Sequence, residues 1–250
     1  GEVVVSWPAG LTNAILQGLT ALEATNVWTT ASLPQTQVNG EVQVRPENSA
    51  FQFFRLQGFP DEVEPLRLTG WNRDVVLENA ATNKASAVDS FGAAWFEAGL
   101  QGYTDGLPAN RTVVSKSDGA ISFELQPYTG SNVLALTLAR RTNSLELIQP
   151  KAFSRLHVLA HSAGGGGNGQ MRIHYADGTS STNFPVNAPD WWDGAFGSGT
   201  RNPAIDGLAR SRTVTSFAYD PVSPGFGLHQ TDIDLTTGPN AGKAIVRLEF

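Results

Sequence analysis

The sequence predicts an all-β protein, and its many short, evenly spaced strands favour a β-sandwich or jelly roll. Apolar residues recur at every second position, as where Met171, Ile173 and Tyr175 alternate with Arg172 and His174. A period of two sends one face of a strand to a core and the other outward. Turn residues separate these runs, and no window of about eleven residues has a helical period. Helix content is therefore expected to stay below about 10%.

The clearest pattern spans residues 145–192 and reads strand, loop, strand, glycine loop, strand, turn, strand and aromatic loop. Leu145, Leu147 and Ile148 begin an apolar run that Pro150 is expected to end. The pair Asp177-Gly178 predicts a hairpin turn, because glycine accepts a positive φ without steric cost. This succession of strands and turns predicts an antiparallel sheet.

Residues 1–60 are predicted to form a small β module of their own. Val3, Val5 and Trp7 alternate, and further strands are expected at residues 14–19 and 26–30, the last containing Trp28. Asn39-Gly40 predicts a tight hairpin between strands at 36–38 and 42–44. The aromatic residues of this segment, among them Phe51, Phe53 and Phe54, are expected to be core.

The polar, proline-bracketed segment GFPDEVEP at residues 58–65 has the composition of a linker. We therefore place the domain boundary there, with one domain at residues 1–60 and the second at 61–250, and expect residues 66–250 to fold alone. Strands of the second domain, besides those of the central stretch, are expected at residues 67–68, 74–77, 95–96, 121–125, 133–138, 213–219, 231–235 and 244–250.

Composition excludes several functional classes. The 250-residue chain has a net charge of −6 and no basic run, which argues against binding to nucleic acid or to an anionic membrane surface. It has no cysteine, so disulfides, thiolate-bound metals and thiol catalysis are excluded. No apolar run approaches the ~20 residues of a membrane-spanning helix, so no membrane insertion is expected. The start, GEVVVSW, leads us to expect a piece of a larger multidomain protein.

Several motifs follow one another in a familiar order. They are F-x-x-L-x-V-L-A-x-S from Phe153, a glycine loop, M-x-I-x-Y-A-D-G-T from Met171, and D-W at Asp190. The segments WNRDVVLEN, AAWFEAG, YTDGLP, FELQPY, TDIDL and AIVRLEF fit the same order. Over residues 66–250 the chain resembles galactose-binding-like jelly-roll β-sandwiches. Residues 1–60 resemble small immunoglobulin- or fibronectin-like modules of bacterial surface proteins.

The resemblance implies a non-catalytic module that binds a polysaccharide or glycan. Such domains accompany many exported bacterial enzymes and surface proteins, so a secreted or cell-surface location is expected. They often hold a structural calcium ion, and the matching regions of this chain contain Glu78, Asp89, Asp232 and Asp234, without a motif that assigns ligands. A structural or adhesion module without sugar affinity is an alternative.

Aromatic residues in loops are the leading candidates for ligand contact. Sugars present C–H faces that stack on aromatic rings, and polar edges that hydrogen-bond to Asp, Asn and Arg. Because adjacent residues of a strand point oppositely, one of Trp191 and Trp192 can point inward while the other points outward. In the resembling domains the D-W pair often closes a strand and packs inward, which implies that Trp191 is core and Trp192 exposed. The candidate ligand-binding residues are Trp192, Trp191, Asp190, Trp95, Tyr103 and Arg201.

Catalytic interpretations have weaker support. Ser162 lies in A-H-S-A-G, which has Ala160 where the nucleophile elbow of serine hydrolases has glycine, and a glycine loop follows instead of a helix. A polysaccharide-active enzyme stays open as an alternative, because glycoside hydrolysis uses two carboxylates. The candidate carboxylates are Asp89 with Glu97, Asp105, and Asp190 with Asp193, all of which also suit turns. The pair Asp206-Gly207 is likewise predicted to form a turn.

Histidines form one further pattern. His157 and His161 share one face of a strand, and His174 is expected on the neighbouring strand. Three such side chains could bind a metal, but a surface or cleft position is the favoured interpretation.

Overall fold

A computed structural model describes residues 4–8, 14–19, 29–31, 33–45, 53–58, 63–79, 85–192 and 201–250. The chain divides into two compact units. The first comprises residues 1–62, 152–155 and 234–244, and the second comprises residues 63–151, 156–233 and 245–250. That the domains at residues 1–60 and 61–250 fold independently stays a prediction. Expectations for Val3, Trp28, Phe51 and Asp193 concern positions outside the described residues.

The described strands of residues 1–62 are β1 Val5–Pro8, β2 Ala14–Leu19, β3 Thr29–Thr30, β4 Gln35–Val38, β5 Glu41–Val44 and β6 Phe53–Gly58. They form two three-stranded antiparallel sheets, ordered β1-β5-β4 and β3-β2-β6. Asn39 and Gly40 both have positive φ, 52° and 82°, and join β4 to β5 as the sequence predicts. Leu16 of one sheet packs with Val44 of the other, so the two sheets face each other across a small core.

The later strands build a larger set of sheets. They are β7 Leu68–Thr69, β8 Val76–Leu77, β9 Trp95–Phe96, β10 Thr112–Val114, β11 Ser122–Glu124, β12 Ser144–Lys151, β13 Arg155–Ala160, β14 Gly167–Tyr175, β15 Phe184–Ala188, β16 Pro203–Leu208, β17 Arg210–Ser211, β18 Tyr219–Asp220, β19 Phe226–Asp234 and β20 Ile245–Glu249. The one helical element among the described residues is the 3₁₀ turn Leu100–Gly102. The predicted all-β sandwich class is therefore confirmed.

A five-stranded sheet has the order β15-β14-β20-β12-β7, and a three-stranded sheet has the order β13-β19-β16. The pairings of the five-stranded sheet, and that of β16 with β19, are antiparallel. The short strands β8 and β9 pair in parallel, with Val76 opposite Trp95. On β14 the burial alternates as predicted, since Met171, Ile173 and Tyr175 are buried. The predicted turn at Asp177-Gly178 follows β14, and Gly178 has a φ of 83°.

Four local predictions are wrong. The strand expected at residues 213–219 does not form, because residues 212–218 connect β17 to β18, which pair with each other. β12 continues through Pro150. Its register with β20 shifts between Glu146 and Lys151, so the hydrogen-bonded ladder is irregular there and the strand tolerates a proline. Residues 133–138 make only an isolated bridge from Val133 to Arg73, because no strand pairs with the remainder. Asp206-Gly207 is not a turn but an irregular part of β16, where Gly207 has a φ of 73°.

No helix among the described residues is long and apolar enough to cross a membrane.

Candidate functional site

Trp95 and Trp191 lie in the core. Their exposed fractions are 1% and 2%, and their rings meet edge to face with centroids 4.9 Å apart. Phe226 packs against both, at 6.3 Å from Trp95 and 4.6 Å from Trp191. The expectation that Trp191 points inward agrees with this burial. Protein also encloses Trp95, so neither ring presents a face for direct stacking of a sugar.

His161 fixes the position of Trp95 from the side. The Trp95 indole Nε1 donates a hydrogen bond to His161 Nε2 at 3.3 Å, and His161 Nδ1 lies 3.2 Å from the Ser162 carbonyl oxygen. This pairing suits a neutral imidazole with its proton on Nδ1. Burial lowers the pKa of His161, which favours the same neutral form. His161 is therefore a structural partner of the tryptophan cluster.

The three histidines do not converge. His157 lies on β13, which pairs with β19, and His161 follows the end of that strand at Ala160. His174 lies on β14 in the five-stranded sheet. The expected adjacency of their strands is therefore wrong. His157 contacts Asp232 at 2.6 Å, and His174 contacts Arg247 and Glu249.

Asp190 is a buried anchor for two loops. Its Oδ2 accepts hydrogen bonds from the backbone N–H groups of Gly164 and Gly165 at 3.0 and 2.7 Å. Its Oδ1 accepts a third bond from the N–H of Trp192 at 2.9 Å. The three bonds hold the glycine loop against the segment that presents Trp192. Asp190 is therefore a positioning residue for these two loops. Direct contact between Asp190 and a ligand stays a prediction.

Trp192 packs against the core and bonds to Arg201, which lines a surface cleft. Its ring is half-buried and packs against the cluster that contains Trp191 and Phe226. Its backbone forms an isolated bridge with Phe226, and its carbonyl accepts a 2.8 Å hydrogen bond from Arg201. We expect Trp192 to point outward, but the structure packs its ring against this cluster, so truncation of this side chain must cost stability as well as any binding.

Arg201 lines that cleft, which has a volume of about 390 Å³. Lys116 and Asp206 also line it, and Lys116 Nζ lies 2.8 Å from both carboxylate oxygens of Asp206. Backbone pairing places these residues together: the Lys116 N–H bonds to the Ala204 carbonyl, which joins the end of β10 to β16. The remaining lining residues are Pro203, Gly207, Pro224 and His229. We call this set the Arg201 cleft.

His229 forms part of the cleft wall. It lies on β19 opposite Pro203 and is 0% exposed as a residue. Burial, followed by the charge of Arg201 and by His161, lowers the pKa of His229 to about 4, although Asp206 acts in the opposite direction. The imidazole is therefore neutral near pH 7, and the charges of the Arg201 cleft come from Lys116, Arg201 and Asp206.

Tyr103 presents an open aromatic face. It is 37% exposed, and its ring stacks on Tyr219 with a centroid distance of 3.8 Å and an interplanar angle of 23°. Phe217 supports it at 5.6 Å. The Tyr219 hydroxyl donates a 2.5 Å hydrogen bond to Asp105, which with burial raises the pKa of Tyr219 to about 12. Tyr103 with its support Tyr219 is called the Tyr103 platform below.

The loop beneath this platform is strained. Gln101 has a φ of 50° and a ψ of 25°, the left-handed region that non-glycine residues rarely adopt. The neighbours Gly99 and Gly102 have φ of 101° and 89°. Such strain persists where the surroundings enforce it, and it concentrates at functional loops.

A short piece of chain links the platform and the cleft. Gly207 lines the Arg201 cleft, and two residues later the Ala209 N–H donates to the Asp105 carbonyl at 2.8 Å. Asp105 also accepts the Tyr219 hydroxyl. The chain therefore connects the loop that presents Tyr103 to the strand that lines the Arg201 cleft, and both lie in the second unit.

The candidate catalytic carboxylates bind protein groups. Asp89 accepts the N–H groups of Phe91 and Ala93 on one oxygen and Arg210 on the other, all at 3.0 Å. Glu97 accepts the N–H of Asn79 at 2.7 Å. The pair of Asp190 with Asp193 falls partly outside the described residues. Among described residues lining the Arg201 cleft, Asp206 is the one carboxylate.

Arg210 forms a buried charge network under the tryptophans. Its guanidinium lies 5.6 Å from the Trp191 ring centre and 4.8 Å from that of Phe226. It binds Asp89 and also Asp220, which Arg212 contacts at 2.8 Å. Burial acts to raise the pKa of Asp220, but the hydrogen bonds and charges of Arg212 and Arg210 bring it below its usual value. The network fixes Asp89 as an ion-pair partner.

The carboxylates considered for calcium do not form a cation site. Asp89 binds Arg210, Asp232 binds His157 and Gln230, and Asp234 binds Thr236. Within the described ranges, no three acidic or histidine side chains cluster as metal ligands. These four residues therefore do not fit a shared calcium ion, and the expectation of calcium stays a prediction without assigned ligands.

The sequence pattern singles out Tyr103 and Arg201, which lie on the platform and in the cleft, but not Lys116, Asp206, His229 and Tyr219. Asp206 was interpreted as a turn residue, and Lys116 has no local pattern. Only the pairing of β16 with β19, and of the chain after β10 with β16, brings these positions together. His229 carries the one usable signal, since it is a polar residue inside an apolar strand.

Comparison with protein-family models and with curated proteins gave no match to this chain.

Proposed function

We propose that the protein binds a polysaccharide or glycan without hydrolysing it. The observation that carries this proposal is the Tyr103 platform. Its ring has one open face and is fixed from behind by Tyr219, so a sugar can stack on it with little loss of side-chain entropy. The Arg201 cleft of the same unit supplies charged and polar groups for sugar hydroxyls.

Binding is favoured over hydrolysis by the chemistry of the cleft. Glycoside hydrolysis requires two carboxylates set roughly 5–10 Å apart, with different proton affinities. The described lining has the single carboxylate Asp206, which is ion-paired with Lys116. The resemblance to galactose-binding-like sandwiches supports the same function, in a module of an exported bacterial enzyme or surface protein.

Depletion of the protein from solution by insoluble polysaccharides, both neutral and acidic, tests the proposal. We expect retention on at least one polysaccharide, and weaker retention for Tyr103→Ala. Phe91→Ala is the matched control, because Phe91 is 83% exposed yet lies outside the platform and the cleft. The proposal is refuted if neither the parent protein nor Phe91→Ala is retained on any polysaccharide. It is also refuted if the parent protein, Phe91→Ala and Tyr103→Ala are retained equally.

A further inference from the structure

One exposed residue in the loop that presents Tyr103 adopts an unfavourable backbone conformation. Gln101 has a φ of 50° and a ψ of 25°, in a turn that the Gly102 N–H closes onto the Gly99 carbonyl at 3.0 Å. This left-handed region brings Cβ close to the following carbonyl oxygen, so glycine and asparagine are the residues that usually occupy it. Glutamine at this position therefore costs stability relative to glycine.

The other non-glycine residues with positive φ have local explanations. Within the described ranges these residues are Asn39 and Arg111, with φ of 52° and 61°. Asn39 precedes glycine in a two-residue hairpin turn, where asparagine is preferred. The Arg111 guanidinium bonds to the Leu125 carbonyl at 3.5 Å and lies 3.7 Å from Glu124. The exposed Gln101 side chain has no hydrogen-bond partner in the described part of the chain, so contacts within the protein do not explain it.

The backbone of the loop holds Gln101 close to Tyr103. The Gly99 N–H donates to the Tyr103 carbonyl at 2.6 Å, and the Tyr103 N–H donates to the Leu100 carbonyl at 3.1 Å. Leu100 is buried and packs in the same cluster as Phe96, which anchors the loop to the core. Two residues of chain span at most about 7 Å, so the Gln101 amide can reach a sugar that stacks on Tyr103.

The charge that contacts the platform is negative. Among the described contacts of Tyr103 and Tyr219, the one charged partner is Asp105, which accepts the Tyr219 hydroxyl at 2.5 Å. The whole chain also carries a net charge of −6. Both charges repel a polyanion, whereas an uncharged sugar keeps the stacking interaction without this cost.

We infer that the Gln101 amide hydrogen-bonds to a hydroxyl of the sugar that stacks on Tyr103, and that this sugar belongs to an uncharged polysaccharide. A primary amide has N–H donors and a carbonyl acceptor, which match the donor and acceptor of a sugar hydroxyl. The inference rests on the proposed function, because it assigns a second contact to the ligand of the Tyr103 platform. The turn holds this amide in a fixed place, so the site distinguishes sugars by the position of a hydroxyl.

Two substitutions separate the amide from the backbone of the turn. Gln101→Gly relieves the positive φ and removes the amide, so it should weaken binding by ~3- to 10-fold without lowering the melting temperature. Gln101→Glu keeps the length of the side chain but removes the N–H donors and adds a negative charge, so it should weaken binding by ~3-fold or more. Asn39→Gly is the matched control, because it removes an exposed amide at a positive φ in the other compact unit, and should leave affinity unchanged.

The probes are immobilised cellulose, β-1,3-glucan and mannan, each beside its carboxymethylated form. Carboxymethylation adds negative charge and keeps the backbone, so it is the matched ligand control. We expect binding to at least one of the neutral glycans, and binding at least ~3-fold weaker to its carboxymethylated form. Tyr103→Ala is measured on the same materials to report on the platform itself.

The outcomes separate the inference from the proposed function. Unchanged binding in Gln101→Gly or in Gln101→Glu, with binding lost in Tyr103→Ala, overturns the inference and leaves the platform as a ligand surface. An equal loss of binding in Asn39→Gly also overturns it, as does a melting temperature of Gln101→Gly more than ~5 °C below that of the parent, because Gln101 would then stabilise the turn itself. Tighter binding to the carboxymethylated forms, or retention on acidic polysaccharides alone, overturns the assignment of an uncharged ligand. Retention on none of the neutral or acidic polysaccharides overturns both proposals.

Discussion

Removal of the Tyr103 ring should separate binding from stability. Tyr103→Ala deletes a ring that is 37% exposed and that stacks at 3.8 Å on Tyr219. An aromatic pair contributes about 0.5–1.5 kcal/mol beyond its buried area, so we expect a loss of about 1–2 kcal/mol in the free energy of unfolding. Truncation of a fully buried aromatic such as Trp95 should cost about 3–5 kcal/mol.

Binding should respond more strongly to the same change. A ring stacked on a ligand contributes about 1–3 kcal/mol, by analogy with bases stacked on aromatic side chains. Tyr103→Ala should therefore weaken binding of a retained polysaccharide by about 5- to 150-fold. The assay is a calorimetric titration beside a urea unfolding curve on the same protein.

Tyr219→Phe is the matched control for this prediction. It keeps both stacked rings and removes the hydroxyl that donates to Asp105. We expect a loss of about 1 kcal/mol in stability, with binding within about 3-fold of the parent. Unchanged binding in Tyr103→Ala, or a loss of stability above about 3 kcal/mol, would refute the platform as a ligand surface.

Three further predictions concern stability. Asp190→Asn should destabilise the fold by about 2–4 kcal/mol in urea unfolding, because three backbone N–H groups bind its carboxylate, whereas Asp118→Asn, a turn residue with one such bond, should cost under about 1 kcal/mol. The free energy of unfolding should fall as pH decreases from 6.5 to about 4, since His229 of the unfolded chain gains a proton there that folded His229 does not. His229→Gln should flatten this dependence of stability on pH. An unchanged dependence would contradict the lowered pKa of His229. Calcium added after chelation should leave the melting temperature unchanged if Glu78, Asp89, Asp232 and Asp234 are the only candidate ligands; a rise of several degrees would reveal a cation site formed by other residues.

Local signals predicted local structure well. Asn39-Gly40 and Asp177-Gly178 formed the expected turns, because a positive φ is a property of the residues themselves. The strand at Ala14–Leu19 followed from its own apolar pattern. Residues 133–138 carry a similar pattern yet remain largely unpaired, and Leu138 is 89% exposed. Apolar alternation allows a strand, but pairing requires a partner that the local sequence does not specify.

The candidate site depended on contacts distant in sequence. The burial of Trp95 follows from His161 and Trp191, which lie 66 and 96 residues along the chain. The ion pair of Lys116 with Asp206 joins residues 90 positions apart. Of the aromatic residues considered, Tyr103 is exposed and its contact with a ligand stays a prediction, whereas the adjacent tryptophans are core or half-buried. A residue's type suggested its chemistry, and only the pairing of strands determined its exposure.

One paired measurement tests non-catalytic binding most directly. The protein is incubated with each retained polysaccharide, and the same sample is assayed for bound protein and for newly formed reducing ends. We expect saturable retention with no reducing ends above the level of the polysaccharide alone over a day. Retention accompanied by steady release of reducing ends, lost in Asp206→Asn or Glu97→Gln, would contradict the account and identify a polysaccharide-degrading enzyme.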